Sequence, residues 1–538
     1  MTTKAEWGRA FTPDTFDRSI ETLDRVVAYC MQDCRTEAAA STVLGPLSPY
    51  ERRVWELDQK INQRGVRVDV PFVEAAMKIV ADATGPLTRE FEELTGGLGV
   101  GQVEKIRDWC EGHGVVLTSL DKPTLAALGI GEDDDVPMAG AVSTLPAPVR
   151  RALEIRSWLG SSSIKKLPRM LATLGRDGRC RGLLQYHGAH TGLWSGRLWQ
   201  PQNLPRGAVT IDDKPPDPVE LAGAILTGDA AYVAALYGNP IAAVAAGLRG
   251  AIIPADGHHL AVGDFAGIQM RIVLALAGQY DKCDLLAAGH DVYLDMACDI
   301  YRVPRGSLTK KDVEKRQIGK NTVLGCGFQM GKDKFHQRYC SDQLIDFAED
   351  AINAYRKVWA PKVPALWEGL GNAALKAVVD RSQTEAYGIV YEWVTEKDAW
   401  NVRNWLACHL PDGQTMWYYD PHVTQRGMPW DQTDVRMGWA FLAKELGVWK
   451  RVHAYGGVLT QNVVSKIARG LLVEAMFRCE AAGYPVVLNV HDEIVAEPKA
   501  GHADAKAFQD LMAQPTPYSR AIRVPIAVEE FISDRYHK

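Results

Sequence analysis

Pro485-Val486-Val487-Leu488-Asn489-Val490-His491-Asp492-Glu493-Ile494-Val495-Ala496-Glu497 reads as two apolar strands around a short polar turn. A second apolar run, His259-Leu260-Ala261-Val262-Gly263-Asp264, also ends in an acid, and a helix is expected to begin near Ile268. A carboxylate at a strand end is held rigidly and points into a crevice. Two such acids can share a pair of divalent cations and leave positions for water and phosphate oxygens. Metals held in this way lower the pKa of an attacking hydroxyl and stabilise the leaving oxygen of an in-line displacement. Either acid alone reads as readily as a cap on the turn or helix that follows. The pair gains meaning only beside a phosphate-binding element.

Residues 315–328 supply a candidate, Lys-Arg-Gln-Ile-Gly-Lys-Asn-Thr-Val-Leu-Gly-Cys-Gly-Phe. Steps of four drift by about 40° on a helix, so Arg316, Lys320, Leu324 and Phe328 are expected to form one slowly turning stripe. Two cations, an apolar contact and a ring in series suit a nucleoside triphosphate. Gly325 and Gly327 weaken the helix and suggest a hinge or a close backbone approach. An amphipathic surface helix with a C-terminal glycine is the plainer alternative.

The surrounding chain has 538 residues, 46% hydrophobic and 24% charged, with net charge −5. That is enough for several packed units of an ordinary globular protein, and it excludes disordered, fibrous and arginine-rich classes. The start, Met1 to Ala10, has no apolar core of a secretory signal. Nor are there 18 consecutive apolar residues, which excludes a membrane span. The ten cysteines are scattered, with Cys30 and Cys34 four apart, and read as reduced, mostly buried thiols in a cytoplasm. Helices are expected over 15–44, 50–63, most of 71–170, 268–378 and 461–482, with a short strand at 66–69. Residues 385–425 look like short strands and turns, and their Trp393, Trp400, Trp405 and Trp417 read first as core, with stacking on template bases as the alternative. The result is an α+β chain whose strands come from distant segments.

Charge is uneven. From Arg150 to Arg206 there are eleven Lys/Arg against Glu154 and Asp177, a net +9 over 57 residues. A second cluster spans Arg302 to Arg338. Such stretches are either solvated faces or grooves that track a polyanion backbone.

Taken together these residues match a known pattern. Asp264-Phe265-Ala266-Gly267-Ile268-Gln269-Met270-Arg271-Ile272 resembles motif A of family A DNA polymerases. Arg316-x3-Lys320-x3-Leu324-Gly325-x2-Phe328 resembles motif B, and Val490-His491-Asp492-Glu493 resembles motif C. Thr191-Gly192 and Gln202-Asn203-Leu204-Pro205-Arg206 also agree in order. The resemblance runs from about Val54 to the C-terminus and is closest in character to phage replicative enzymes. It implies a right-hand fold with an antiparallel palm sheet. The palm would take 50–70, 171–267 and 455–538, the thumb 71–170 and the fingers 268–454, after a remnant and linker at 1–49. Asp264, Asp492 and the Phe265 carbonyl would hold two Mg²⁺ ions, with Mn²⁺ able to substitute. Lys320 would also serve as a proton donor to the leaving pyrophosphate, and Glu493 would support the metals. Arg316, Lys320, Leu324, Phe328, Gln269, Tyr293 and Arg206 would surround the dNTP. Arg197, Gln202, Asn203, His491, Lys165 and Lys166 would contact primer–template DNA.

Several positions depart from the family. Gln269 stands for a usual Glu and Phe328 for a usual Tyr, so two polar partners near the sugar have changed together, leaving neither unpaired. Gln keeps the bulk, and deoxyribose selection is expected to persist. Leu324 replaces a ring-bearing residue, Leu193 replaces an Arg that Arg197 would compensate, and Tyr293 replaces a His. Tyr29-Cys30-Met31-Gln32-Asp33 resembles the last motif of a 3′–5′ exonuclease, but no acid pair precedes it. No proofreading is expected from this polypeptide alone: either the chain is an excised polymerase portion or a separate exonuclease polypeptide completes residues 1–45, and that polypeptide or a processivity factor would be a partner. The expected activity is dNTP-dependent primer extension in phage replication, inside the host cytoplasm and without a membrane. A single-subunit RNA polymerase or a non-catalytic DNA-binding subunit would share much of this pattern.

Overall fold

The computed structural model describes residues 19–130, 145–205, 209, 211, 215–341, 343–397, 402–428, 431–445 and 448–537. Arg206, Trp400 and the acidic run at 132–135 therefore lie outside the described residues. The chain divides into two compact units, Met1–Leu57 and Asp58–Lys538. In the first, the helix Ile20–Leu44 starts at Ser19, whose hydroxyl accepts from the Thr22 N–H at 3.3 Å, and stops at Gly45, where φ is 70°. None of its residues is buried, and Tyr29, Cys30, Asp33 and Cys34 all face solvent.

The second unit is organised on a four-stranded antiparallel sheet. Its order is Val486–Val490, Glu493–Ala496, Leu260–Phe265, Val528–Ser533. The first two strands are buried along their whole length, as their unbroken apolar sequence requires. A helix, Ala505–Met512, nests on one face where Gly263 leaves room: a Cβ there would lie 2.3 Å from the Met512 sulfur. The helix Gly456–Ala481, buried at 17 positions, packs on the strands Val486–Val490 and Glu493–Ala496. A smaller sheet pairs Val66–Val68 with Arg179–Cys180 and Ile252–Ile253, joining three distant segments.

Two helical regions flank this frame. One begins with the helix Val70–Thr95, capped by Asp69 and opened by Pro71. It shares a core of Phe91, Ile106, Cys110, Val149 and Leu153 with its neighbours. The other runs from Ile268 to Asp380, as the helical periodicity predicts. Between it and the helix Gly456–Ala481 lies the main departure from expectation. Six strands between Gln383 and Ala454 form an antiparallel meander in sequence order, with strands of up to 15 residues, not the short strands and turns expected over 385–425. Its polar, charge-bearing positions alternate with apolar ones, which hides long half-exposed strands from a reading based on apolar runs.

Eight of the ten cysteines are buried and none is in a disulfide; Cys30 and Cys34 depart from expectation in being exposed. No single helix among the described residues is long and apolar enough to cross a membrane.

Candidate active site

The register of the four-stranded sheet sets the geometry of the acids. Glu493 lies opposite Asp264, and Val490 opposite Glu493, so His491 and Asp492 form a two-residue tip. The Phe265 N–H donates to the Asp492 carbonyl at 3.2 Å. Asp264, Phe265 and Asp492 therefore reach the same end of adjacent strands, the two acids half-buried and the phenylalanine buried. The tip needs a left-handed residue. His491 supplies it at φ 59°, a conformation His adopts more readily than most. Its ring is exposed.

Glu493 points into the protein. It is 1% exposed and accepts from the Tyr536 hydroxyl at 2.5 Å. Arg249 donates in turn to that hydroxyl at 2.7 Å and to the Leu204 and Pro205 carbonyls at 3.0 and 3.1 Å. Burial, then the adjacent carboxylate, hold the Tyr536 phenol well above its ordinary pKa, so it stays a donor. Sequence reasoning missed Tyr536 and Arg249. Neither belongs to a local motif, and only the fold brings them to Glu493.

The helix Val313–Cys326 carries Arg316, Lys320 and Leu324 along one side, with Leu324 39% exposed. The helix ends at Cys326, and Phe328 sits in the turn just beyond it. Gly325 does not act as a break; its bare Cα makes room for the Met330 sulfur, 3.1 Å from where a Cβ would be. The turn is fixed by the Trp367 indole, which donates to the Gly327 carbonyl at 2.9 Å, and by the Gln329 side chain, which accepts from the Gly457 N–H at 2.8 Å. Gly319 lets this helix press on the helix Val292–Tyr301, since a Cβ there would stand 2.1 Å from the Tyr293 carbonyl oxygen. The close approach brings Arg316 to Asp291 at 2.7 Å and over the Tyr293 ring at 5.4 Å. Asp291 also caps the helix through the Tyr293 and Leu294 N–H groups. Gln269 is half-buried in the first turn of the helix Ile268–Leu276.

The basic stretch is less open than its charge count suggests. Arg151 pairs with Glu90, Arg179 with the buried Glu497, and Arg181 with Asp177. Arg156 is half-buried on the Leu120 carbonyl. Lys165, Arg169, Arg176 and Arg197 remain exposed. Gln202 is buried, its amide donating to the Asn489 carbonyl at 3.2 Å, while Asn203 is exposed. Half-buried Lys166 donates to the Gln200 and Asn203 carbonyls at 3.3 and 2.5 Å. Behind Leu193, the buried Arg469 donates to the Gly192 carbonyl at 2.8 Å.

An antiparallel sheet that ends in paired acids, flanked by two helical regions, is the architecture of a template-directed polymerase. The chain is similar to the POL domain of Pol1 from M. smegmatis, solved in complex with DNA primer-template and dNTP. That likeness has a TM-score of 0.58 at 14% identity and covers 89% of this chain and 69% of that one. It is also 29% identical over 530 residues to a DNA polymerase of Bacillus phage SP02, covering 96% of this chain and 76% of that protein. No family model matches. The chain thus shares the fold of a polymerase domain and is similar along nearly its whole length to a phage DNA polymerase.

Two outcomes follow from the packing. Gly319→Ala must push the two helices apart and should cost about 1–3 kcal/mol in urea unfolding, the usual price of overpacking. An unchanged midpoint would show that the helices slide freely. Lys166 titrates at about 8, burial first and then Arg249 lowering it from 10.5. The folded chain thus releases this proton before the unfolded chain does, and the group's contribution to stability rises with pH between about 8 and 10.5. Lys166→Met should gain most, relative to wild type, below pH 8, with the advantage shrinking towards pH 10.5; a pH-independent difference would refute the assignment.

Proposed function

We propose that the chain extends a primer 3′ end on a DNA template with dNTPs, releasing pyrophosphate, through the acids at the end of its four-stranded sheet. The observation that carries the reading is the bond from the Phe265 N–H to the Asp492 carbonyl, which sets Asp264 and Asp492 side by side. Among the described residues no group of three or more His, Cys, Asp or Glu is arranged to hold a metal. The donor set here is two carboxylates and the Phe265 carbonyl. That suits Mg²⁺, or Mn²⁺ in its place, because Mg²⁺ is ordinarily bound by one or two carboxylates together with substrate phosphates. Two bound ions would activate the primer hydroxyl and stabilise the leaving oxygen.

In this reading Arg316 and Lys320 bind the triphosphate, and Lys320 can give a proton to the departing pyrophosphate. Leu324, Phe328, Gln269 and Tyr293 enclose the base and sugar. His491 meets the primer terminus from its exposed tip, and Glu493, held by Tyr536, keeps that tip in place. Exposed Lys165, Arg197 and Asn203 contact DNA directly, whereas Lys166 and Gln202 brace the backbone that carries them. Palm, thumb and fingers take the boundaries expected from sequence, with the six-stranded meander as part of the fingers. Phage replication in the host cytoplasm is the setting that fits the phage relative.

Asp492→Asn should lower primer extension by roughly a thousandfold, the loss of several kcal/mol of metal-borne stabilisation, while primer–template binding persists. Activity within tenfold of wild type would sink the assignment and favour a binding subunit. Asp291→Asn keeps a capping side chain but removes the carboxylate that Arg316 must leave. The KM for dNTP should fall severalfold at nearly constant kcat; a raised KM would mean that Asp291 orients Arg316 instead of competing for it.

A further inference from the structure

We propose that the solvent face of the six-stranded meander is a binding platform for single-stranded nucleic acid, on which the unpaired template lies. The two faces of this sheet differ sharply. On one, Tyr391, Leu406, Cys408, Met416, Tyr418 and Phe441 are at most 5% exposed. They pack towards the helix Lys362–Asp380, and Tyr418 accepts from the Asn462 amide at 3.2 Å.

The other face carries a ladder of rings. Trp417 pairs with Ala407 and Tyr419 with Trp405; one strand further, Tyr419 faces Leu442, and Lys444 faces Trp449. Paired residues share a face in an antiparallel sheet, so Trp405, Trp417, Tyr419 and Trp449 all project to the same side. Ring centroids lie 4.7 Å apart for Trp405–Tyr419, 6.2 Å for Trp405–Trp417 and 5.8 Å for Tyr419–Trp449. Trp417 and Trp449 are 44% and 57% exposed. Scattered exposed rings need no explanation, but a contiguous ladder of four rings on three strands marks a binding surface.

The chemistry around the ladder selects the ligand. The edge strand Val448–Ala454 bears Lys450, Arg451 and His453 and no acid, and Lys444 and Arg451 share the ladder's face. Two carboxylates share this face at its other margin, Glu392 beside His409 and Glu396 bonded by the Trp405 indole, while Asp420 pairs with Arg451. Flat exposed rings beside a cationic margin fit splayed bases and a phosphate backbone; a duplex keeps its base faces hidden.

Position favours the template strand, a step that rests on the polymerase reading. The sheet's buried face packs on His190, whose ring lies 5.0 Å from Tyr418 and 6.0 Å from Phe441. Its Gln414 meets Arg469, the same side chain that holds the Gly192 carbonyl. Thr191-Gly192 belongs to the motif series matched above to the polymerase family, and in the polymerase reading it borders the primer end. The sheet is thus anchored beside that segment by its buried face, with the ladder on its opposite, solvent face.

The test is fluorescence anisotropy with labelled oligo(dT), wild type against the double variant Trp417→Ala/Trp449→Ala. Affinity should fall at least about tenfold, given the usual worth of base–ring stacking. Extension at limiting DNA should fall on long template overhangs and hold on minimal ones. Lys444→Glu/Arg451→Glu should flatten the salt dependence of oligo(dT) binding. Unchanged oligo(dT) affinity in folded double variant overturns the proposal, whether the ladder then serves a protein partner or a second copy. Should the double variant fail to fold, Trp449→Ala on the edge strand carries the same comparison. Wild-type enzyme inactive on minimal overhangs would instead overturn the polymerase reading, independently of the ladder.

Discussion

The hydrogen-bond register between Leu260–Phe265 and Glu493–Ala496 is the constraint on which the rest of the site depends. Side chains alternate along a strand, so a slip of one residue would turn both Asp264 and Glu493 to opposite faces. The register is fixed from several directions. A two-residue tip with His491 in the left-handed region sets one strand pair, and Gly263 leaves room for the Met512 side chain of the helix packed on the sheet. Tyr536 then satisfies the buried Glu493 carboxylate, which would otherwise be costly to enclose. Each of these restraints acts at a different residue, which is how a shallow crevice can be held rigidly.

Much of this was legible in the sequence, and for a physical reason. Strands buried on both faces announce themselves as unbroken apolar runs, and an acid at the end of such a run is conspicuous. The helices were legible through their period and their caps. The meander was misread because one of its faces is wet, so its strands alternate and carry charge like loops. Phe328 was placed on a helix because spacing alone cannot show where a helix stops. The site's supporting residues were illegible for another reason: Asn489 under Gln202, and Arg249 under Tyr536, are joined by the fold across more than 280 positions.

Charge tells a similar story at larger scale. A net +9 over residues 150–206 suggested a broad cationic groove, yet Arg151, Arg179 and Arg181 are committed to carboxylates within the protein. Counting along the chain adds charges that the fold subtracts. What is left is a short set of exposed cations, Lys165, Arg169, Arg176 and Arg197, that can meet phosphates without first breaking an ion pair. Arg316 is the opposite case: it must leave its partner Asp291 before it can meet a phosphate.

The tie between Glu493 and Tyr536 has a further consequence, for biosynthesis. The fourth strand of the central sheet, Val528–Ser533, and the phenol that satisfies Glu493 both come late in the chain. During translation the helices before residue 380 can form as they emerge, since the bonds within a helix are local. The crevice cannot. Until the ribosome has released Tyr536, the turn that presents Asp492 lacks both its neighbouring edge and its buried donor. A nascent chain of this protein would therefore be largely folded and still catalytically unfinished, acquiring its site in one late step.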